Sequence, residues 1–257
     1  MGCATPVVDA ADAEATSSTA TAIVVVERSS GPGEAVRADA VFARFIRVKQ
    51  GVVDDSALRI AGVAEDIPEI GTCAPVKDVE PAFGSKVELL DVGQVTLDDS
   101  ERARSTVLGP RTMPDPAGFV SGVFYTTRSQ DVIAPGGVVS LRTSGSKEVP
   151  AFALTTNAPR EIGDVHVSVQ NGALDVQWES AEGNDLVYVD VLAPAPRIVV
   201  RCAVVDTGRV FIPAAHVGAI EEGQVAVHRV HREQFRATGI APGEVRFDLA
   251  KIVAFRR

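Results

Sequence analysis

His228 and His231 are the only closely spaced histidines in the chain, and neutral imidazole is the commonest metal ligand among side chains. Three residues apart on a strand, they point to opposite faces and reach one ion only across a bulge. Glu233 is the one carboxylate beside them, so two surface histidines flanked by Arg229 and Arg232 are expected rather than a metal site. Ser144-Gly145-Ser146-Lys147 has the Ser-x-x-Lys spacing in which a desolvated lysine activates a serine hydroxyl. That chemistry is normally mounted on a helix and accompanied by Ser-Asp-Asn and Lys-Thr-Gly motifs. Here the four residues stand in a polar stretch between strands, without companions, and read as a turn. The acidic pairs Asp54-Asp55, Asp98-Asp99 and Glu221-Glu222 lack the alternating carboxylates of a calcium loop. No catalytic residue, metal or cofactor is assigned.

The three cysteines are Cys3, Cys73 and Cys202. Residues 1–20 are rich in Ala, Asp, Glu, Ser and Thr and cannot assemble an apolar face, so they read as a flexible tether. Gly2-Cys3 followed by such a tether resembles the mature start of a bacterial lipoprotein, which implies lipid attachment at Cys3. A secretion signal would then already have been removed. Cys73 and Cys202 would be left as a pair, the arithmetic of one disulfide in an exported protein. Cys202 shares an alternating face with Ile198, Val200 and Val204, which suits a buried free thiol equally well, so both alternatives stay open.

Composition narrows the classes. The 257 residues are 46% hydrophobic and 23% charged, which excludes a wholly disordered chain and leaves ample material for a core. Acidic residues outnumber basic ones 34 to 25, for a net charge of -9, and no basic stripe is present, so nucleic acid is not an expected partner. No apolar run approaches the roughly 20 residues of a spanning helix.

The elements that must position any site are strands. Alternation predicts them over 21–28, 42–49, 87–97, 119–127, 138–143 and 150–155, separated by turn signals such as Gly31-Pro32-Gly33, Asp54-Asp55-Ser56 and Pro135-Gly136-Gly137. Residues 98–108 lack an apolar stripe and are expected to form a loop with at most a helical turn. Beyond residue 158 the pattern is cleaner. Val165, Val167 and Val169 share one face, Asn171-Gly172 makes a turn, and Leu174, Val176 and Trp178 share the next dry face. Strands follow over 186–192, 198–205, 209–212, 224–232 and 244–255, with a short helical turn after Pro213. Tyr188 falls opposite Val187, Val189 and Val191 and is expected on the outer surface. Tyr188, Arg201, Arg229 and His231 are therefore the candidate interaction surface, with Arg197, Arg209 and Arg232 available to extend a positive patch.

The expected fold is all-β with two β-rich domains: a tether over 1–20, an irregular β-rich domain over 21–157 and a β-sandwich over 158–257. Val149-Pro150-Ala151-Phe152, Leu174-Asp175-Val176-Gln177-Trp178 and Val210-Phe211-Ile212-Pro213-Ala214-Ala215 resemble strands and turns of the C-terminal immunoglobulin or fibronectin-like sandwich of exported bacterial lipoproteins. The resemblance covers about two fifths of the chain. It implies a noncatalytic protein of the cell envelope, outer-membrane-anchored through lipid and facing periplasm or exterior, with an envelope protein or polysaccharide as partner. A hydrolase or carbohydrate-acting enzyme with its site in loops of the first domain is the alternative.

Overall fold

A computed structural model describes residues 20–31, 39–48, 53–76, 86–113, 120–183, 185–194, 197–218 and 220–256. Its first half contains β1 (Ala20–Ser30), β2 (Asp39–Val48), α1 (Asp55–Ile60), β3 (Thr72–Pro75), β4 (Val87–Leu89), β5 (Val95–Asp99), β6 (Arg104–Met113), β7 (Val120–Ser129), β8 (Val138–Thr143) and β9 (Phe152–Asn157). Its second half contains β10 (His166–Gln170), β11 (Ala173–Gln177), β12 (Leu186–Ala193), β13 (Arg197–Val204), β14 (Arg209–Ile212), α2 (Ala214–Val217), β15 (Glu222–Ala237) and β16 (Ile240–Arg256). The fold is all-β, as the two-residue alternation requires.

Thirteen strands form one sheet in the order β3-β13-β12-β15-β16-β1-β2-β4-β7-β6-β5-β8-β9, and β10-β11-β14 form a second. The large sheet runs without a break across the expected division at 157/158, because β1 pairs in parallel with β16 from Ala20↔Ile240 to Ser30↔Lys251. β1 thus lies beside β16, buried on both faces, which explains why Ala22-Ile23-Val24-Val25-Val26 is a continuous apolar run rather than an alternating one.

Three cores follow from this arrangement. The three-stranded sheet lays Leu174, Val176 and Trp178 over Val187, Val189, Val191, Val225 and Val227 of the large sheet. Beyond β1 the large sheet curls around Val24, Val26, Ala43, Phe45, Leu97, Leu108, Tyr125 and Leu141. The curl brings β9 back toward β15, with the rings of Phe152 and Phe235 5.6 Å apart. On the opposite face of β1 and β2, Ala57 and Ala61 at α1 pack with Val63 on Ile23, Val25 and Ile46.

Several local expectations need correction. Residues 98–108 are not a loop but the end of β5 and the start of β6. Asp99 is buried and its carboxylate accepts the N–H groups of Glu101 and Arg102, making a tight turn, while the apolar anchors Leu97 and Leu108 stand at the edges of the segment. Asp54-Asp55-Ser56 is not a simple turn. Asp54 caps α1 by accepting from Ala57 N at 2.9 Å, with Asp55 in the first turn and Arg59 in the last. The strand expected over 87–97 is two, divided at Gly93, whose φ of +74° and N–H bond to Asp91 turn the chain.

Candidate functional site

A concentration of ionisable side chains facing one another lies on the face of the large sheet away from the three-stranded sheet. Strand register places it there. Directly paired residues share a face, so Tyr188↔His228↔Ala250 and Arg201↔Asp190↔Ala226 form adjacent rows across β13, β12, β15 and β16. Asp248 stands two positions before Ala250 on β16 and pairs with Glu27 of β1. Small residues at Ala226 and Ala250 leave a trough of about 470 Å³, bordered by Arg201, Tyr188 and Asp190 on one side and by Glu27 and Arg128 on the other.

Within it, Tyr188 donates its hydroxyl to Asp248 Oδ2 at 2.6 Å, and His228 Nδ1 lies 2.8 Å from Asp248 Oδ1. The tyrosine and imidazole rings stack with centroids 4.2 Å apart. Arg201 makes a two-pronged bond to Asp190, 2.8 Å from Nε and from NH2, and covers the other face of Tyr188 at 4.5 Å. His228 Nε2 stands 3.9 Å from Asp190 Oδ2.

The electrostatics follow from these contacts. Burial opposes the charge of His228, but the Asp248 carboxylate and its hydrogen bond, with Asp190 behind, outweigh it and raise the imidazole above its ordinary 6.5. Burial pushes Asp248 up, yet His228 and the Tyr188 hydroxyl together hold it below the usual aspartate value. Tyr188 is raised well above 10 by its burial and by neighbouring Asp248. Glu27 is raised by one-sided burial and by the nearby charges of Asp248 and Glu65.

The candidate interaction surface therefore needs correction. Tyr188 is buried, not exposed, because Arg201 lies over one ring face and His228 under the other. Arg229 is 1% exposed. It points to the opposite face, where it donates to Asp206 Oδ2 at 2.8 Å from NH2 and to the carbonyls of Arg160, Glu161 and Glu179. His228 is not a surface histidine, whereas His231 is half-buried against Asp185 at 2.7 Å, on the face of β15 away from His228. Arg201 and Arg229 thus share no positive patch, and each pairs with a different carboxylate, Asp190 and Asp206.

Among the described residues no Ser, Thr or Cys hydroxyl or thiol hydrogen-bonds His228, and no group of three His, Cys, Asp or Glu side chains is placed to hold a metal ion. Ser144 and Ser146 are both engaged. The Ser144 hydroxyl accepts from Gln94 N, fifty residues earlier, and the Ser146 hydroxyl from Glu148 N and Val149 N, the latter being turn chemistry.

Cys73 and Cys202 face one another across β3 and β13 and are joined as a disulfide, with Cα atoms 4.0 Å apart and 129 residues between them in sequence. Cys3 lies outside the described residues. Among those described, no helix is long and apolar enough to cross a membrane. No protein-family model, curated protein or solved structure matches the chain. Asp248 and Asp190 were missed by sequence reasoning. Both stand at the polar positions of an alternation, Asp190 between Val189 and Val191 and Asp248 between Phe247 and Leu249, where a charge reads as facing solvent, so the sequence carried no signal of their burial.

Proposed function

We propose that this chain is a noncatalytic protein of the bacterial cell envelope, tethered through lipid on Cys3 and acting in structure, assembly or recognition of another envelope macromolecule. The observation that carries the noncatalytic part is the mutual engagement of Asp190, Arg201, Asp248, His228 and Tyr188 in the trough. Asp190 is held by Arg201, and Asp248 by both Tyr188 and His228, so these side chains tie strands together instead of presenting a free acid, base or nucleophile to a substrate. The Cys73–Cys202 disulfide supports an oxidising compartment. The facing sheets over 158–257, with Trp178 in the layer between them, support a loose immunoglobulin or fibronectin-like sandwich there, extended at one edge by β1.

The test is expression from the complete gene in a bacterial host fed an alkyne-bearing palmitate, followed by fractionation. Label on the chain in the membrane fraction, lost in Cys3→Ser, is the expected result. An unlabelled chain in the cytosol would overturn the proposal.

A further inference from the structure

Residues 61–76 run from the end of α1 to the edge of the large sheet as a strap over its polar face. Val63 seats in the core beneath α1, and its carbonyl accepts from Arg246 NH1 at 3.3 Å. Glu65 pairs with Arg246 at 2.9 Å and also with Arg232. Arg201, which forms one side of the trough, donates to the Asp66 carbonyl at 3.3 Å. The strap then ends in β3, four residues long and the terminal strand of the sheet, with one neighbouring strand among the described residues. Its backbone ties are the four-residue ladder with β13 and two flanking bonds, Gly71 N to Ala203 O at 2.7 Å and Val76 N to Val199 O at 3.2 Å. A strand this short on an edge is marginal without further fastening. The fastening is the disulfide, joining half-buried Cys73 on the strap to fully buried Cys202 in the sheet.

We propose that the Cys73–Cys202 disulfide is a redox-sensitive clasp for the strap, and that its reduction by a dithiol releases residues 64–76 while the rest of the sheet stays folded. One thiolate of the dithiol attacks the sulfur of Cys73, the less buried of the two residues, the S–S bond breaks, and Cys202 leaves as a thiolate that takes up a proton. The second thiol of the reductant then displaces Cys73, which is also protonated. Two electrons and two protons pass to the protein, and the reductant becomes a disulfide. Release opens the crevice of about 400 Å³ that Asp66, Ile67, Pro68, Ala74 and Val76 now form against Arg201, and it frees one side of that arginine.

Amide hydrogen exchange on the full chain, read by peptide before and after reduction with dithiothreitol and in Cys73→Ser/Cys202→Ser, tests the clasp. Exchange at least tenfold faster over 64–76, with β12, β15 and β16 unchanged, is the expected result in both arms. Unchanged exchange over the strap would overturn it. So would faster exchange throughout the chain, because the bond would then be a staple of the whole fold. Should the double variant not fold, reduction of the folded chain gives the same reading and the same contradictions.

Discussion

Arg229 NH2 lies 2.8 Å from Asp206 Oδ2 where the two sheets meet, and Asp206 also takes the Trp178 indole N–H on Oδ1 at 2.7 Å. One carboxylate thereby satisfies the two bulky donors that the interface buries, while three backbone carbonyls occupy the rest of the guanidinium. Removing one partner strands the other in a dry setting. Asp206→Ala is expected to lower stability by about 3–5 kcal/mol, and Arg229→Lys to recover little of an Arg229→Ala loss because an ammonium cannot span the same acceptors. Urea unfolding followed by Trp178 fluorescence checks both, and an Asp206→Ala loss under about 1 kcal/mol would contradict the assignment.

The Tyr188 hydroxyl serves Asp248 without otherwise packing the ring. Tyr188→Phe keeps the stack with His228 and the cover of Arg201 but leaves Asp248 short of a donor. A loss of about 1–3 kcal/mol in chemical denaturation is expected, since the buried acceptor is charged.

The same cluster sets a pH dependence with two limbs. His228 has a raised folded value, so its contribution is complete below the ordinary 6.5 and is lost as pH rises through the raised value. Asp248 has a lowered folded value, so its contribution is present above the ordinary 3.8 and is lost as pH falls through the lowered one. His231, raised by its hydrogen bond to Asp185, adds to the upper limb. Thermal midpoints are expected to be highest between about pH 4 and 6.5 and to decline on the alkaline side. His228→Gln is expected to flatten that decline, and an unaltered profile in this variant would place its origin elsewhere.

Gly122 is fixed by close approach rather than by a turn. At φ +123°, a Cβ there would stand 1.9 Å from the carbonyl oxygen of Leu89 on the neighbouring parallel strand. Both atoms belong to backbone or its first substituent, so nothing flexible yields. Gly122→Ala is expected to cost about 3 kcal/mol or more, against about 1 kcal/mol for Gly71→Ser, where a Cβ meets nothing within 4 Å and only the strain of a positive φ is felt. Parallel melts of the two variants give the comparison.

Much of the strand framework was legible because one wet face and one dry face alternate along it. Val138–Thr143 and Arg209–Ile212 match their expected bounds, and Leu174, Val176 and Trp178 are buried as their spacing demands. The hairpin at Asn171-Gly172 was legible from turn chemistry, both residues having positive φ. What the alternation could not convey was which strands become neighbours. The parallel pairing of β1 with β16 joins residues more than two hundred positions apart and leaves no local trace beyond a double-sided apolar run. The polar trough was hidden for a related reason. Tyr188 looks outward on its own strand, and only Arg201 and His228, brought by β13 and β15, bury it. Arg229 likewise reads as a surface residue until the loops at 160–161, 179 and 206 close over it.

The covalent link between β3 and β13 is the feature on which the proposed oxidising compartment rests. Its most direct measurement is a peptide-mass map of the chain taken from its native host, with free thiols blocked before lysis and no reductant added. A linked pair of peptides carrying Cys73 and Cys202, two hydrogens lighter than their sum, is the predicted result, whereas both cysteines recovered with the blocking label would contradict it.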